Sequence, residues 1–348
     1  AMVLMALDHV RDFFTEVRFD PLDLSRTSAA LFLTRWVTHF CAPVFVFLAG
    51  TGAFLYGSRG KTRTQLAWFL LTRGLWLVLL ELTLVHLGWF GNVEYRLVVA
   101  QVIWAIGWSM VVLAGLVFLP PWAVAACGVA LVAGHNAFDG LAPEDFGPCR
   151  WLWVVLCSGG PLQPWPGVYL IVAYPLLPWL GVMASGYGAG AVWLLDRGRR
   201  RRLLLVLGLA LILMFVALRA ANRYGDPRPW SLQADGWRTL LSFLNCSKYP
   251  PSLLFVLMTL GPAFLGLAWF DRDPGPLGRP LVVFGRVPLF YYLLHVPVIH
   301  LAALGLAWAR HGQARFLLQH PILIDPRRLP EGYGYGLPVV YLVWLGVV

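Results

Sequence analysis

The stretch Arg199-Arg-Arg-Arg-Leu203-Leu-Leu-Val-Leu-Gly-Leu-Ala-Leu-Ile-Leu-Met-Phe-Val-Ala-Leu218-Arg219 decides how this chain is to be read. Between its flanking arginines no residue is charged, so the run is apolar on every face. A helix that is hydrophobic all round sits in a large core or in lipid, and roughly 20 apolar residues cross the hydrocarbon of a bilayer. The arginine block suits an anionic membrane surface.

The same reading gives helices near 1–15, 29–57, 65–88, 96–118, 120–137, 167–195, 203–221, 251–270, 281–309 and from 337 onward. The expectation is an all-α polytopic transmembrane bundle of about ten helices, in a single domain over 1–348, with the lipid bilayer as its first partner. The first run and the last, Leu337 to Val348, fall short of a span, so the chain reads as cut at both ends; no basic leader precedes the first run, and no cleavable signal peptide is expected.

Composition agrees. The 348 residues are 59% hydrophobic and 13% charged, with a mean hydropathy of +0.69, whereas a soluble domain carries roughly a quarter charged residues. A soluble globule is excluded. The net charge of +10 does not mark a nucleic-acid binder, because the arginines lie scattered between apolar runs and form no basic face. Arg59, Lys61 and Arg63, then Arg197 and Arg199 to Arg202, then Arg272 and Arg279 follow alternate helices, which makes their side cytoplasmic. The longer loops 138–166, 221–250 and 310–336 fall on the other side; the arginines at 219, 223, 228, 238, 327 and 328, in or beside them, weaken the rule less than short-loop cations would. Localisation in a bacterial inner membrane is the expectation. Of five cysteines, Cys149 and Cys157 would bridge only if their loop faces an oxidising compartment, which the sequence leaves open.

Polar residues inside such a chain need a reason. Leu7-Asp8-His9-Val-Arg11-Asp12 follows the first apolar run, and His9 shares a helical face with Asp12, as Asp8 does. A carboxylate beside His9 would orient the imidazole as a general base; the plainer reading is a polar helix end meeting water. Arg35 and His39 are four apart at the start of the second run, so Arg35 either snorkels to the interface or joins His39 in steadying an oxyanion. Arg73 either snorkels or meets a phosphate, and Glu81, deeper, is expected in an ion pair. Asn245-Cys-Ser-Lys248-Tyr249-Pro-Pro-Ser252 sets an ammonium and a phenol at a helix entrance. Tyr291 and Tyr292 stand four and three residues before His295, within reach of its face. The histidines show no compact ligand spacing, so no metal site is expected.

Several of these segments together carry a resemblance: Leu4-Met-Ala-Leu-Asp8-His9, Ala42-Pro-Val-Phe-Val-Phe-Leu-Ala-Gly50, Tyr174-Pro-Leu-Leu-Pro-Trp-Leu-Gly-Val-Met183, Lys248-Tyr-Pro-Pro-Ser-Leu253 and Phe284 to His295. In their order they resemble the heparan-alpha-glucosaminide N-acetyltransferase catalytic-domain family, in a bacterial branch. The resemblance implies a membrane acetyltransferase that takes acetyl-CoA from the cytoplasmic side and acetylates a sugar on the far side. The loop histidine of the lysosomal enzyme has no counterpart in Thr15 to Leu31; His9 falls where that enzyme resembles an Asn, and His39 where it resembles an Asp.

The expected function is therefore transfer of an acyl group from acetyl-CoA to a hydroxyl or amine of an envelope sugar. His9, with Asp8 or Asp12, is the expected base, and His39 with Arg35 the oxyanion support. Arg73, Lys248, Tyr249 and His295 are expected to border the cofactor. A glycan or amino-sugar acceptor is the implied partner, with a homodimer as the assembly allowed. The rival class is a transporter or channel using the same His, Asp and Arg residues, and a third reading is a scaffold that kept the fold and lost the chemistry.

Overall fold

The computed structural model describes residues 1–321, 324–325, 327 and 329–348; Arg328, one of the loop arginines, lies outside them. The chain opens with α1 (Met2–Phe14), α2 (Ala29–Thr38), α3 (Cys41–Gly57) and α4 (Arg63–Leu80). A π turn over Glu81–Val85 leads into α5 (His86–Phe90), then β1 (Leu97–Ala100), α6 (Val102–Leu116), α7 (Pro121–Gly134) and a short α8 (Arg150–Trp153). After β2 (Gly160–Trp165) and β3 (Val168–Val172) come α9 (Leu176–Ala189), α10 (Arg197–Ala221), α11 (Gly236–Leu244) and α12 (Leu253–Phe270). The chain ends with α13 (Gly275–Arg286), α14 (Pro288–His311) and α15 (Leu337–Val347).

Among the described residues, six helical stretches are long and apolar enough to cross a membrane: Ala29–Gly57, Arg63–Phe90, Pro121–Phe138, Arg197–Ala221, Leu253–Phe270 and Pro288–His311. The fold is thus mostly helical and membrane-spanning, but the count of about ten is not reached. Two expected helices were shorter than read because each begins as a strand. β1 and β3 pair in parallel and β2 joins β3 antiparallel, giving the order β1-β3-β2. Their β-branched residues, Val98, Val99, Val168, Ile171 and Val172, favour extended backbone. The expected helix 281–309 also breaks, at Val287, between α13 and α14.

The chain divides into two compact units. The second, residues 42–81 and 96–273, is built from helix pairs. Lipid is as apolar as leucine, so helices in it associate through close backbone packing at small residues. Each main pair here meets at facing glycines. A Cβ on Gly74 of α4 would lie 2.5 Å from the Gly107 carbonyl of α6, and one on Gly107 would lie 2.7 Å from that of Gly74. Gly128 of α7 faces Gly181 of α9 at 2.7 Å in the same way, and Gly208 of α10 faces Gly261 of α12 at 2.9 Å. At one end of this unit Arg63 reaches the Phe118 carbonyl, and Arg200 holds Asp271 through two bonds of 2.8 Å, so the basic segments that flank α4 and α10 meet the ends of their partner helices.

The first unit comprises residues 1–41, 82–95 and 274–348. Its centre is α1, which packs on α2, α14 and α15. Phe13 and Phe14 are almost wholly buried on it. The segment before α15 clasps the end of α1: Tyr335 donates its N–H to Phe14 O at 2.8 Å, and the Tyr333 hydroxyl donates to Phe13 O at 2.7 Å. Gly334 allows this approach, because a Cβ there would stand 2.5 Å from the Glu16 backbone, and its φ of +105° suits glycine alone.

Candidate active site

The site is built on α1 in the first unit, which holds every histidine of the chain except His135. Asp8 and Arg11 are buried charged residues, and burial of a charge requires a partner. Arg11 Nη2 donates to Asp8 Oδ1 at 2.9 Å and to Asp12 Oδ1 at 2.6 Å, while Arg35 of α2 closes on Asp8 Oδ2. Two guanidiniums and two carboxylates thus form one network. The carboxylates expected beside His9 are held by these arginines, and Arg35 is brought to Asp8.

His9 meets α14. Its Nδ1 lies 2.7 Å from His295 Nε2, and the rings are 4.9 Å apart at 22°. The edge contact with Trp89 of α5, 4.8 Å between ring centres, fixes the His9 ring from a second side. His295 is 2% exposed. Its Nδ1 donates back to Tyr291 O at 2.9 Å, one helical turn earlier, and the Tyr291 ring stacks on it at 5.1 Å. Tyr292 also lies against it, at 5.8 Å, so both tyrosines reach the face that spacing indicated. His39 is buried at the end of α2.

The cluster extends through aromatic contacts. Trp89 stacks on Phe13 at 5.5 Å and on His320 at 4.6 Å, and His300 lies 4.8 Å from Phe13. Both His300 nitrogens face carbonyls, Nδ1 that of Gly88 and Nε2 that of Leu317, each at 2.9 Å; a neutral ring satisfies one of them and an imidazolium both. His320, in the segment between α14 and α15, is buried, and desolvation followed by the neighbouring His300 and His86 pushes it down to about 3. The indole N–H of Trp89, the Tyr291 hydroxyl and both His86 nitrogens are buried without a hydrogen-bond partner among the described residues.

Sequence reading passed over Arg11, Trp89, His300 and His320. Arg11 had a signal, since it stands three residues after Asp8 on one helical face. Trp89 meets His9 and Phe13, His300 meets Phe13 and His320 meets Trp89 only through the fold.

The remaining expected residues belong to the second unit. Arg73 is exposed on α4, its guanidinium 5.8 Å from the Phe69 ring. Lys248 is buried with its Nζ 5.1 Å from the ring of Tyr249, which is itself half exposed and set edge-on to Tyr174. Their segment hangs on a buried pair. Arg219 donates to the carbonyls of Arg228, Ser242, Phe243 and Asn245 and lies 3.8 Å from Asp226, which accepts from Ser247 N and Ser252 Oγ. Among the described residues Glu81 is not in the expected ion pair. Its carboxylate accepts from the backbone N–H groups of Gln101 and Trp104, at the N-terminus of α6, where the helix dipole favours an anion. Cys149 and Cys157 are not bridged.

The chain matches no curated protein and no solved structure. A family model described as "Heparan-alpha-glucosaminide N-acetyltransferase, catalytic" does match, over residues 1–221, a span that carries α1 with Asp8, His9, Arg11 and Asp12, α2 with Arg35, and Trp89. The chain belongs to the heparan-alpha-glucosaminide N-acetyltransferase catalytic family.

Proposed function

We propose that the protein is a membrane-bound acetyltransferase that moves the acetyl group of acetyl-CoA to a hydroxyl or amine of an envelope sugar, with His9 as the general base. The observation that carries this reading is the contact of 2.7 Å between the half-buried His9 and the buried His295. An imidazole held by a second group is the arrangement that general-base catalysis needs. Family membership supports the reaction class.

In the proposed step His9 removes the acceptor's proton as the acceptor oxygen or nitrogen attacks the thioester carbonyl. The carbon–sulfur bond then breaks, and the departing thiolate takes the proton from His9. Arg35, positioned by Asp8, and His39 steady the oxyanion formed in between. The unused Trp89 N–H and Tyr291 hydroxyl, near the histidine pair, offer donors to a bound substrate. Arg73, Lys248 and Tyr249 serve the donor's route, with acetyl-CoA approaching from the side of the basic segments; that side is cytoplasmic by the positive-inside rule, in a bacterial inner membrane.

The test is turnover of labelled acetyl-CoA by the protein in proteoliposomes, with glucosamine-terminated glycans as acceptors. The wild type is expected to label the glycan, and a His9→Ala, His39→Ala double variant is expected not to. Full activity in the double variant refutes the assignment. Solute flux without acetyl-CoA consumption would make the protein a transporter, and acetyl-CoA binding without turnover a scaffold.

A further inference from the structure

We infer that His295 is a positioning residue: it fixes the tautomer of His9 and so makes His9 Nε2 the atom that accepts the proton. Tyr291 O, His295 and His9 form a chain in which each hydrogen has one place. A carbonyl oxygen can only accept, so the contact of 2.9 Å to Tyr291 O puts the hydrogen of His295 on Nδ1. His295 is 2% exposed and is bordered by the rings of Tyr291, Tyr292 and His9, with no salt bridge to a carboxylate among the described residues. A buried imidazolium there would stand uncompensated, so the ring is neutral and its Nε2 is an acceptor. His9 Nδ1, 2.7 Å away, must therefore donate. A neutral ring that donates from Nδ1 keeps its lone pair on Nε2.

This arrangement does for His9 what a carboxylate does for a catalytic histidine elsewhere: it selects the tautomer and the ring orientation. His295 does so as a neutral ring. When the acceptor's proton arrives at Nε2, the imidazolium keeps its Nδ1–H on His295 and the ring does not turn; the same proton then leaves to the thiolate. The contact between the rings and the edge of Trp89 remove the remaining rotation. The catalytic part of this inference rests on the acetyltransferase reading; the tautomer does not.

The test uses full-length protein labelled with ¹⁵N-histidine in proteoliposomes, with the His9 signals assigned by their loss in His9→Gln. The wild type is expected to show Nδ1 protonated and Nε2 bare. In His295→Leu the pattern is expected to move to the Nε2–H tautomer, with kcat down about 10²-fold or more and the KM for acetyl-CoA little changed. His295→Gln, whose amide oxygen replaces the accepting Nε2, is expected to recover the wild-type tautomer and much of kcat. A merely structural role for His295 would not produce the tautomer change or its rescue. A wild-type His9 protonated at Nε2, or a Leu variant that keeps the Nδ1–H form, overturns the inference. If the tautomer switches as expected and no variant or wild type transfers an acyl group, the tautomer assignment stands and the acetyltransferase reading falls.

Discussion

Replacing Gly107 by alanine adds one methyl group to α6 at a point where the facing helix leaves no room. The new Cβ would stand 2.7 Å from Gly74 O and 2.9 Å from Val78 Cγ2, whereas ordinary contact begins at 3.4 Å. The nearest obstacle is backbone, so relief requires α4 and α6 to part by about 0.7 Å, the difference between those two distances. Overpacking of this kind costs about 1–3 kcal/mol, and a gap of about 0.5–1 Å forfeits a quarter to a half of the dispersion energy of the atoms it separates. Alanine's helix propensity works the other way by about 1 kcal/mol. The same helix supplies the control, because a Cβ on Gly115 meets nothing within 4 Å. Gly115→Ala therefore tests propensity alone, and Gly107→Ala is expected to be less stable than it by about 1–3 kcal/mol. The assay is equilibrium unfolding of the two purified variants in detergent. Equal stability, or a Gly107→Ala protein that is the more stable, would refute the packing argument.

Burial holds His320 neutral in the folded protein, at about 3 against an ordinary value of 6.5, so folding stability is full above pH 6.5 and declines as the pH falls towards 3. At pH 5 the loss is about 2 kcal/mol, read as a lower Tm than at pH 7.5; His320→Phe, which keeps the stacking on Trp89, is expected to flatten that dependence, and an unchanged slope contradicts the assignment. Arg219→Leu leaves Asp226 buried without its cation and four carbonyls without their donor, at a cost of about 3–5 kcal/mol. Rapid protease cleavage within 222–250 is the expected sign, and wild-type resistance would count against it. Asp8→Ala removes the shared partner of Arg11 and Arg35 and is expected to destabilise by a similar amount, about 3–5 kcal/mol, measured by detergent unfolding; a variant as stable as the wild type would show that the network contributes little.

The sequence revealed what hydrophobic periodicity and charge can carry. The run after Arg202 is α10, and the apolar runs near 29–57, 251–270 and 281–309 lie where spanning helices are found. Three things escaped it. The strands β1 and β3 are apolar and continuous with helices, so a length test merges them, although Gly159, Gly160 and Gly167 mark the breaks around β2 and β3. The glycine pairs Gly74–Gly107 and Gly208–Gly261 join helices far apart in the chain, and nothing local distinguishes them from Gly115, which touches nothing. The candidate site was legible helix by helix: Asp8 and His9 on α1, Arg35 on α2 and His295 on α14 were named, and the tyrosines before His295 lie on its ring. That His9 and His295, 286 residues apart, meet at hydrogen-bond distance is a property of the fold. The pairing of Asp8 with Arg11 was readable in principle, because Arg11 stands at the third position beyond it on the same helical face.

In the proposed reaction His9 takes a proton during acetyl transfer. Single-turnover transfer from labelled acetyl-CoA to a glucosamine-terminated glycan, comparing the wild type with a folded His9→Gln variant, addresses it most directly. Wild-type labelling of the glycan is expected, with a loss of about 10²–10⁴ in the rate constant for His9→Gln and acetyl-CoA binding retained. A His9→Gln protein that transfers the acetyl group at the wild-type rate contradicts it.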